Sequence, residues 1–233
     1  MSSEERSAKE QRIVESRMRL MERFRERMAR TPGMSDGRPQ GEGPANRHGM
    51  PRLPVGQVET HKWPVLDLGF LPNVELGKWR LTVDGACDHA LELDFEALNA
   101  LPVISDVSDF HCVTTWSRFD LKWRGVRVSD VLAPAMPLAT ATHLMCHGYD
   151  GYSTNLPLEE ALKPDVLIAF GVNGKPLPAE HGGPVRMITP QLYAWKGSKW
   201  LRRLELMEGD RPGYWEQRGY SMSAHPWHND RYG

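Results

Sequence analysis

The chain has 233 residues, 40% hydrophobic and 25% charged, with net charge -1, 21 Gly, 18 Pro, 8 Trp and 3 Cys. That length suits one domain, or one domain and a tail, since domains commonly run about 100–200 residues, and it buries a core without staples. The near-zero charge argues against a general nucleic-acid binder, and three cysteines with no C-x-x-C exclude a disulfide framework and a four-cysteine zinc site. No apolar run approaches the roughly 18–20 residues needed to span a membrane.

Residues 1–30 hold nine Lys/Arg and six Asp/Glu, without an apolar export segment, and the only Arg-Arg is Arg202–Arg203. A reduced cytoplasm is the expected location, where a functional cysteine is a thiolate rather than half of a bridge. The spacing of Val14, Met18, Met21 and Met28 predicts a helix over 4–30 with one apolar face, braced by the i,i+4 pairs Glu5–Lys9 and Glu15–Arg19. A solvated helix, docked on a subunit or partly formed, is the expectation. A basic membrane-surface helix is the rival, weakened by the interleaved acids. Residues 31–57 then carry five Pro and six Gly, which reads as a linker or semi-extended strap. The expected division is therefore 1–57, helix and linker, and 58–233, folded domain.

Within the domain the elements are short and mixed. Trp79–Asp84 alternates and breaks at Gly85, reading as a strand and turn. Leu93–Ala100 has helical spacing, Val103–Val113 reads as a strand, and Val128–Leu132 as a short helix. His143–Cys146, Val166–Phe170, Val185–Thr189 and Lys199–Met207 read as strands, with a helical turn at Leu158–Leu162. No repeat is visible. Strands outnumber helices at irregular spacing, so an α+β domain is favoured over a doubly wound sheet. Gly148-Tyr-Asp150-Gly151 and Gly171-Val-Asn173-Gly174 are turn signals without the spacing of a nucleotide loop.

Two Cys/His pairs, His111-Cys112 and Cys146-His147, invite a zinc reading, but neither has the spacing of a structural zinc motif. Cys146 and Cys87 read as small buried hydrophobes. Cys112 is set apart by its C-terminal neighbours: Cys112-Val-Thr-Thr-Trp116-Ser-Arg118, then Trp123-Arg-Gly125-Val. This stretch resembles the molybdopterin-binding domain of the sulfite oxidase family in its small stand-alone bacterial form. The resemblance implies that Cys112 supplies a thiolate to molybdenum; a soft thiolate suits a metal already held by two dithiolene sulfurs, and cations such as Arg118 favour it.

A second block extends the likeness: His181-Gly-Gly-Pro184-Val-Arg186 and then Lys196-Gly-Ser198-Lys199-Trp200. The implied cofactor is molybdenum-molybdopterin, anionic through a phosphate or nucleotide tail, with His181, Arg186, Lys196, Ser198 and Lys199 as implied contacts. Arg offers a fork and Lys a point charge, while Gly182, Gly183 and Gly197 admit close backbone approach. Asp150 either bonds the pterin edge or serves the turn before Gly151. Upstream, Thr60-His61-Lys62-Trp63-Pro64-Val65 stands where the family carries an entry segment. No arginine is present there, so His61 or Lys62 must serve, and sulfite is in doubt as substrate. Arg118 is left as an oxyanion contact, or as an ion pair with Asp120 or Asp109. The tail, with Trp215, Tyr220 and Trp227, is expected to wrap the domain, its tryptophans packing.

The resemblance implies a mostly-β sulfite-oxidase-type fold in the α+β class and an oxidoreductase that transfers an oxygen atom. It would oxidise a sulfite-like oxyanion or reduce a sulfoxide or N-oxide. No C-x-x-C-H haem motif occurs, so electrons pass to or from a separate partner. A non-catalytic pterin-binding module on the same fold is the rival.

Overall fold

A computed structural model describes residues 3–29 and 38–233. The first helix, α1 (Ser3–Ala29), carries Glu4 and Glu5 in its first turn and Arg27 in its last, as its dipole favours. Residues 31–37 of the expected linker lie outside the described residues. Residues 38–57 are not a bare strap: β1 (Gly41–Ala45) and β2 (Pro51–Pro54) pair as an antiparallel hairpin. The hairpin is tied to the tail by Gln40 N–H donating to Trp227 O (2.8 Å) and Trp227 Nε1 donating to Pro51 O (2.5 Å).

The remaining strands are β3 (Val58–Glu59), β4 (Leu81–Gly85), β5 (Leu91–Leu93), β6 (Val103–Cys112), β7 (Trp116–Arg127), β8 (His143–Gly148), β9 (Ser153–Pro157), β10 (Leu167–Val172), β11 (Lys175–Pro176), β12 (Arg186–Ile188) and β13 (Leu201–Met207). Three short helices, α2 (Phe95–Ala100), α3 (Val128–Leu132) and α4 (Leu158–Ala161), join them. Asp94 starts α2 by accepting from Ala97 N–H at 2.8 Å, an N-cap of the ordinary kind.

Two larger sheets result. One is ordered β5-β4-β13-β8-β9, with β4 and β13 parallel. The other is built on the β6–β7 hairpin; β10 pairs with β7 and carries β11 and β12, and β3 runs parallel to the start of β7. The main core joins both sheets: Leu81, Val83, Leu144 and Leu204 meet Val126, Ile168 and Met187. Leu167 and Ala169 alternate with Ile168 and Phe170 and belong to a separate cluster with Leu121 and Trp123. Strand β10 is therefore covered on both faces, which is why its sequence is a continuous apolar run. The α+β, mostly-β expectation holds.

A third cluster positions the site. Leu68, Cys112, Tyr193, Trp195, Trp215 and Tyr220 pack together, and Ile13, Val14 and Met18 of α1 pack against them. Met21 is buried, and Phe24 meets Tyr232 edge-on at 5.3 Å. The apolar face of α1 is thus docked on its own domain rather than left to solvent.

Candidate active site

The hairpin turn between β6 and β7 presents Cys112. Thr115 N–H donates to Cys112 O at 3.1 Å, and Thr115 sits at φ 75, a costly value for a β-branched residue. Gln57 Nε2 donates to the same carbonyl at 3.1 Å, and the Thr114 hydroxyl lies 3.1 Å from the Cys112 sulfur. Neighbouring His111 points elsewhere, its Nδ1 2.8 Å from Ser117 Oγ, and burial pulls it down to about 3, so it is neutral.

Cys112 opens into a cavity with about 820 Å³ of empty space, mouth included. Its lining, mostly apolar and aromatic with a few convergent polar groups, is that of a small-molecule or cofactor site. Aromatic rings wall it: Trp63, Phe110, Trp116, Trp195, Trp215 and Tyr220. Trp63 stacks flat on His181, 3.7 Å between ring centroids and 6° between planes. Burial, with Arg186 nearby, pulls His181 down to about 4, so this ring is neutral at pH 7.

Positive charge collects in one part of the wall. Arg186 is 3% exposed; its guanidinium donates to the carbonyls of His181 (2.8 Å), Gly197 (3.2 Å) and Met187 (3.3 Å) and lies over the Phe110 ring, 5.3 Å from its centroid. Burial pulls it down to about 9. Lys199 donates to Glu180 O at 2.7 Å, and burial together with the Arg186 charge pulls it down to about 8. Two cations held without a bonded carboxylate leave donors over for an anion. The backbone beside them is kept bare: a Cβ on Gly182 would stand 2.9 Å from Lys199 Cβ, and one on Gly197 2.5 Å from Met187 O. The opposite chemistry comes from Asp150, whose Oδ1 accepts from Tyr152 N–H at 3.1 Å. Burial raises Asp150 to about 6.

Residues 68–215 match the family model of the oxidoreductase molybdopterin binding domain, more than half of the chain. The chain belongs to that family. It is 42% identical to an uncharacterised oxidoreductase, YuiH, of Bacillus subtilis, over 78% of this chain and 92% of that protein. It is 29% identical to the catalytic subunit MsrP of a protein-methionine-sulfoxide reductase from Gluconobacter oxydans, over 60% of this chain and half (50%) of that one. Human mitochondrial sulfite oxidase is 28% identical over 64% of this chain and 33% of its own length. The sulfane dehydrogenase SoxCD of Paracoccus pantotrophus has the same fold, with TM-score 0.58 at 22% identity, covering 65% of this chain and 43% of that one. The chain thus spans half or less of these three longer proteins.

The cofactor of this molybdopterin oxidoreductase family fits the cavity: a soft sulfur donor, aromatic walls for a flat ring system, and spare cations for an anionic tail. The sequence-predicted residues divide accordingly. Cys112, Asp150, His181, Arg186 and Lys199 line the cavity. Five others stand apart from it. His61 and Lys62 are exposed, and their neighbours Trp63 and Pro64 face inward instead. Lys196 is fully buried against Glu216 at 2.7 Å, both side chains at 0% exposure, and also donates to Asn155 O and Oδ1; its charge is spent on the fold. Ser198 Oγ donates to Lys199 O at 3.3 Å. Arg118 lies over the Trp63 ring, 5.4 Å from its centroid. The acids offered as its partners, Asp109 and Asp120, are taken by Arg52. Nor is Arg118 the cation beside the thiol: burial pushes Cys112 up, and Thr114, Arg17 and Arg231 oppose it.

The zinc reading fails among the described residues, where no three His, Cys, Asp or Glu side chains converge. Cys146 is in the core, its thiol 3.2 Å from Met187 sulfur. Arg17, Trp63, Trp215 and Tyr220 were not expected in the site. The apolar face of α1 was the available signal for Arg17. The density of aromatics in the tail was the signal for Trp215 and Tyr220. Among the described residues no helix is long and apolar enough to cross a membrane.

Proposed function

We propose that this molybdopterin oxidoreductase transfers an oxygen atom to or from a small substrate, with Cys112 as the protein's ligand to molybdenum. The observation that carries this is the Cys112 thiol opening into a cavity that also holds Arg186 and Lys199. When bound, the cofactor supplies two-electron redox and oxygen-atom-transfer chemistry.

The chain's own residues bind and orient. Gln57 and the Thr115 amide fix the Cys112 backbone, so the sulfur is aimed before any ligand arrives. Burial alone keeps this thiol protonated; a metal must displace the proton, and metal loading releases it. Arg186 and Lys199 neutralise the anionic tail. Asp150 offers a carboxylate to the amino edge of the pterin. Neutral His181, pinned by Trp63, offers a ring nitrogen without adding charge. The tryptophan and tyrosine walls exclude water, which strengthens each polar contact inside.

The substrate is a sulfite-like oxyanion to be oxidised, or a sulfoxide or N-oxide to be reduced. MsrP and sulfite oxidase are relatives named for each direction. In this proposal electrons pass to or from a separate protein partner. We place the protein in the cytoplasm; three unpaired cysteines suit a reduced compartment.

The test is dye-linked turnover of purified protein with sulfite, dimethyl sulfoxide and trimethylamine N-oxide. Turnover of one of them, absent in cofactor-free protein, is expected. A molybdenum-loaded protein that turns over none of these would favour the non-catalytic module instead.

A further inference from the structure

Arg17 lines the same cavity as Cys112, yet it comes from α1, outside the residues that match the family model. Its guanidinium makes no hydrogen bond or ion pair among the described residues. The other cation near the thiol is fully committed. Arg231, 1% exposed, donates to Val113 O, to Val55 O at 3.4 Å, to Gly56 O at 3.2 Å and to Asn229 Oδ1 at 2.8 Å. Arg186 and Lys199 are coupled to each other and anchored on the carbonyls of His181, Gly197 and Glu180. A half-buried guanidinium with five free donors, set beside a sulfur ligand, is costly unless it meets an acceptor.

Its placement is built rather than incidental. Met18 and Ile13, on the same face of α1, pack into the cluster that contains Cys112. Met21 is buried one turn further on, 3.3 Å from where a Cβ on Gly219 would stand. Tyr214 donates to Glu10 at 2.6 Å, and Arg6 donates to Asp150 O at 2.6 Å. The helix is thus fixed before and after Arg17. The entry segment supplies only Trp63 and Pro64 to the cavity, with His61 and Lys62 turned to solvent.

We propose that Arg17, presented by the docked helix α1, is the substrate-binding cation of this site, and that the substrate is therefore an oxyanion rather than a neutral sulfoxide or N-oxide. The proposal rests on the oxygen-transfer reading of the site. Arg17 neutralises and orients the anion beside the metal ligand. It also makes the site a joint product of the domain and a helix that the family model does not include.

The probe is inorganic sulfate, a stable oxyanion, titrated into holoprotein by calorimetry, with molybdenum and pterin measured on each sample. Arg17→Gln is expected to weaken sulfate at least about tenfold, the worth of one charge-assisted contact, with metal content unchanged. Arg17→Lys should recover part of that loss. Met21→Glu, which buries a charge under α1, should lose sulfate binding as Arg17→Gln does while the domain stays folded by circular dichroism. In turnover, Arg17→Gln should raise KM for sulfite more than it lowers kcat, and Arg17→Lys should restore part of the KM. Sulfate affinity unchanged in Arg17→Gln would overturn the role of Arg17, even with molybdenum present and turnover intact. Molybdenum missing from the wild type would instead count against the oxygen-transfer reading, and the sulfate titration would still decide Arg17.

Discussion

Trp63 and His181 lie face to face, 3.7 Å apart at their ring centroids, and so join the entry segment to the turn that precedes Arg186 at the start of β12. Trp63 also meets Trp123 edge-on at 5.6 Å and Phe110 at 6.0 Å. Each such aromatic pair is worth about 0.5–1.5 kcal/mol beyond area burial. Trp63→Ala is expected to destabilise the protein by about 3 kcal/mol, at the low end for a tryptophan because the ring is only half-buried. Chemical denaturation measures this. The freed His181 ring should then titrate closer to its ordinary value, as histidine NMR resonances would report.

Lys196 and Glu216 form a different kind of contact, a charge pair with no exposure at all. Burial pulls Lys196 down, and Glu216 opposes it. Lys196→Met should cost about 3–5 kcal/mol, because it strands a buried carboxylate. The double variant Lys196→Met, Glu216→Leu should recover much of that loss. A direct role of Lys196 in cofactor binding would instead lower cofactor content in both variants, with little loss of stability in the first.

The pH dependence of cofactor uptake comes from Lys199. In the cofactor-free protein its charge is lost near pH 8 rather than near its ordinary 10.5. Affinity for the anionic pterin should therefore be full at pH 7 and fall as pH rises through 8, by about tenfold for one lost charge contact. Lys199→Arg should move that fall to higher pH. Uptake of molybdopterin by cofactor-free protein, tracked by pterin fluorescence between pH 6.5 and 9, measures it.

Asp150 gives a stability signature at lower pH. Its folded value near 6 lies above the ordinary 3.8, so the folded state holds more protons between those values. Its contribution to stability is present at low pH and is lost as pH rises through 6. Asp150→Asn should flatten the melting temperature against pH between about 4 and 6. A slope unchanged by the substitution would assign the titration elsewhere.

Much of the fold is legible in the sequence because burial writes a pattern. Strand β10 and helix α3 are readable from an apolar run and a short helical spacing. Strand β7, the longest, is harder to read as a strand, although Leu121, Trp123 and Gly125 are buried while Lys122 and Arg124 are exposed. Its arginines and aromatics read first as a motif. Strand β9 and the β1–β2 hairpin are hidden by prolines at their ends. In the site, Cys112 and Arg186 are legible through the resemblance of their flanking motifs to the family, and both line the cavity. Lys196 misleads because sequence cannot tell a ligand cation from one neutralised by Glu216, 20 residues away. For Arg17 the apolar face of α1 is the one signal, because the docking of that face brings it to the cavity.

The central claim is that Cys112 is the protein's ligand to molybdenum. X-ray absorption at the molybdenum edge of wild type and Cys112→Ser tests it most directly. Three sulfur neighbours in the wild type and two in the variant, with the pterin retained and oxygen-transfer activity lost, is the expected result. The same sulfur count in both proteins, or undiminished turnover by the variant, would contradict it.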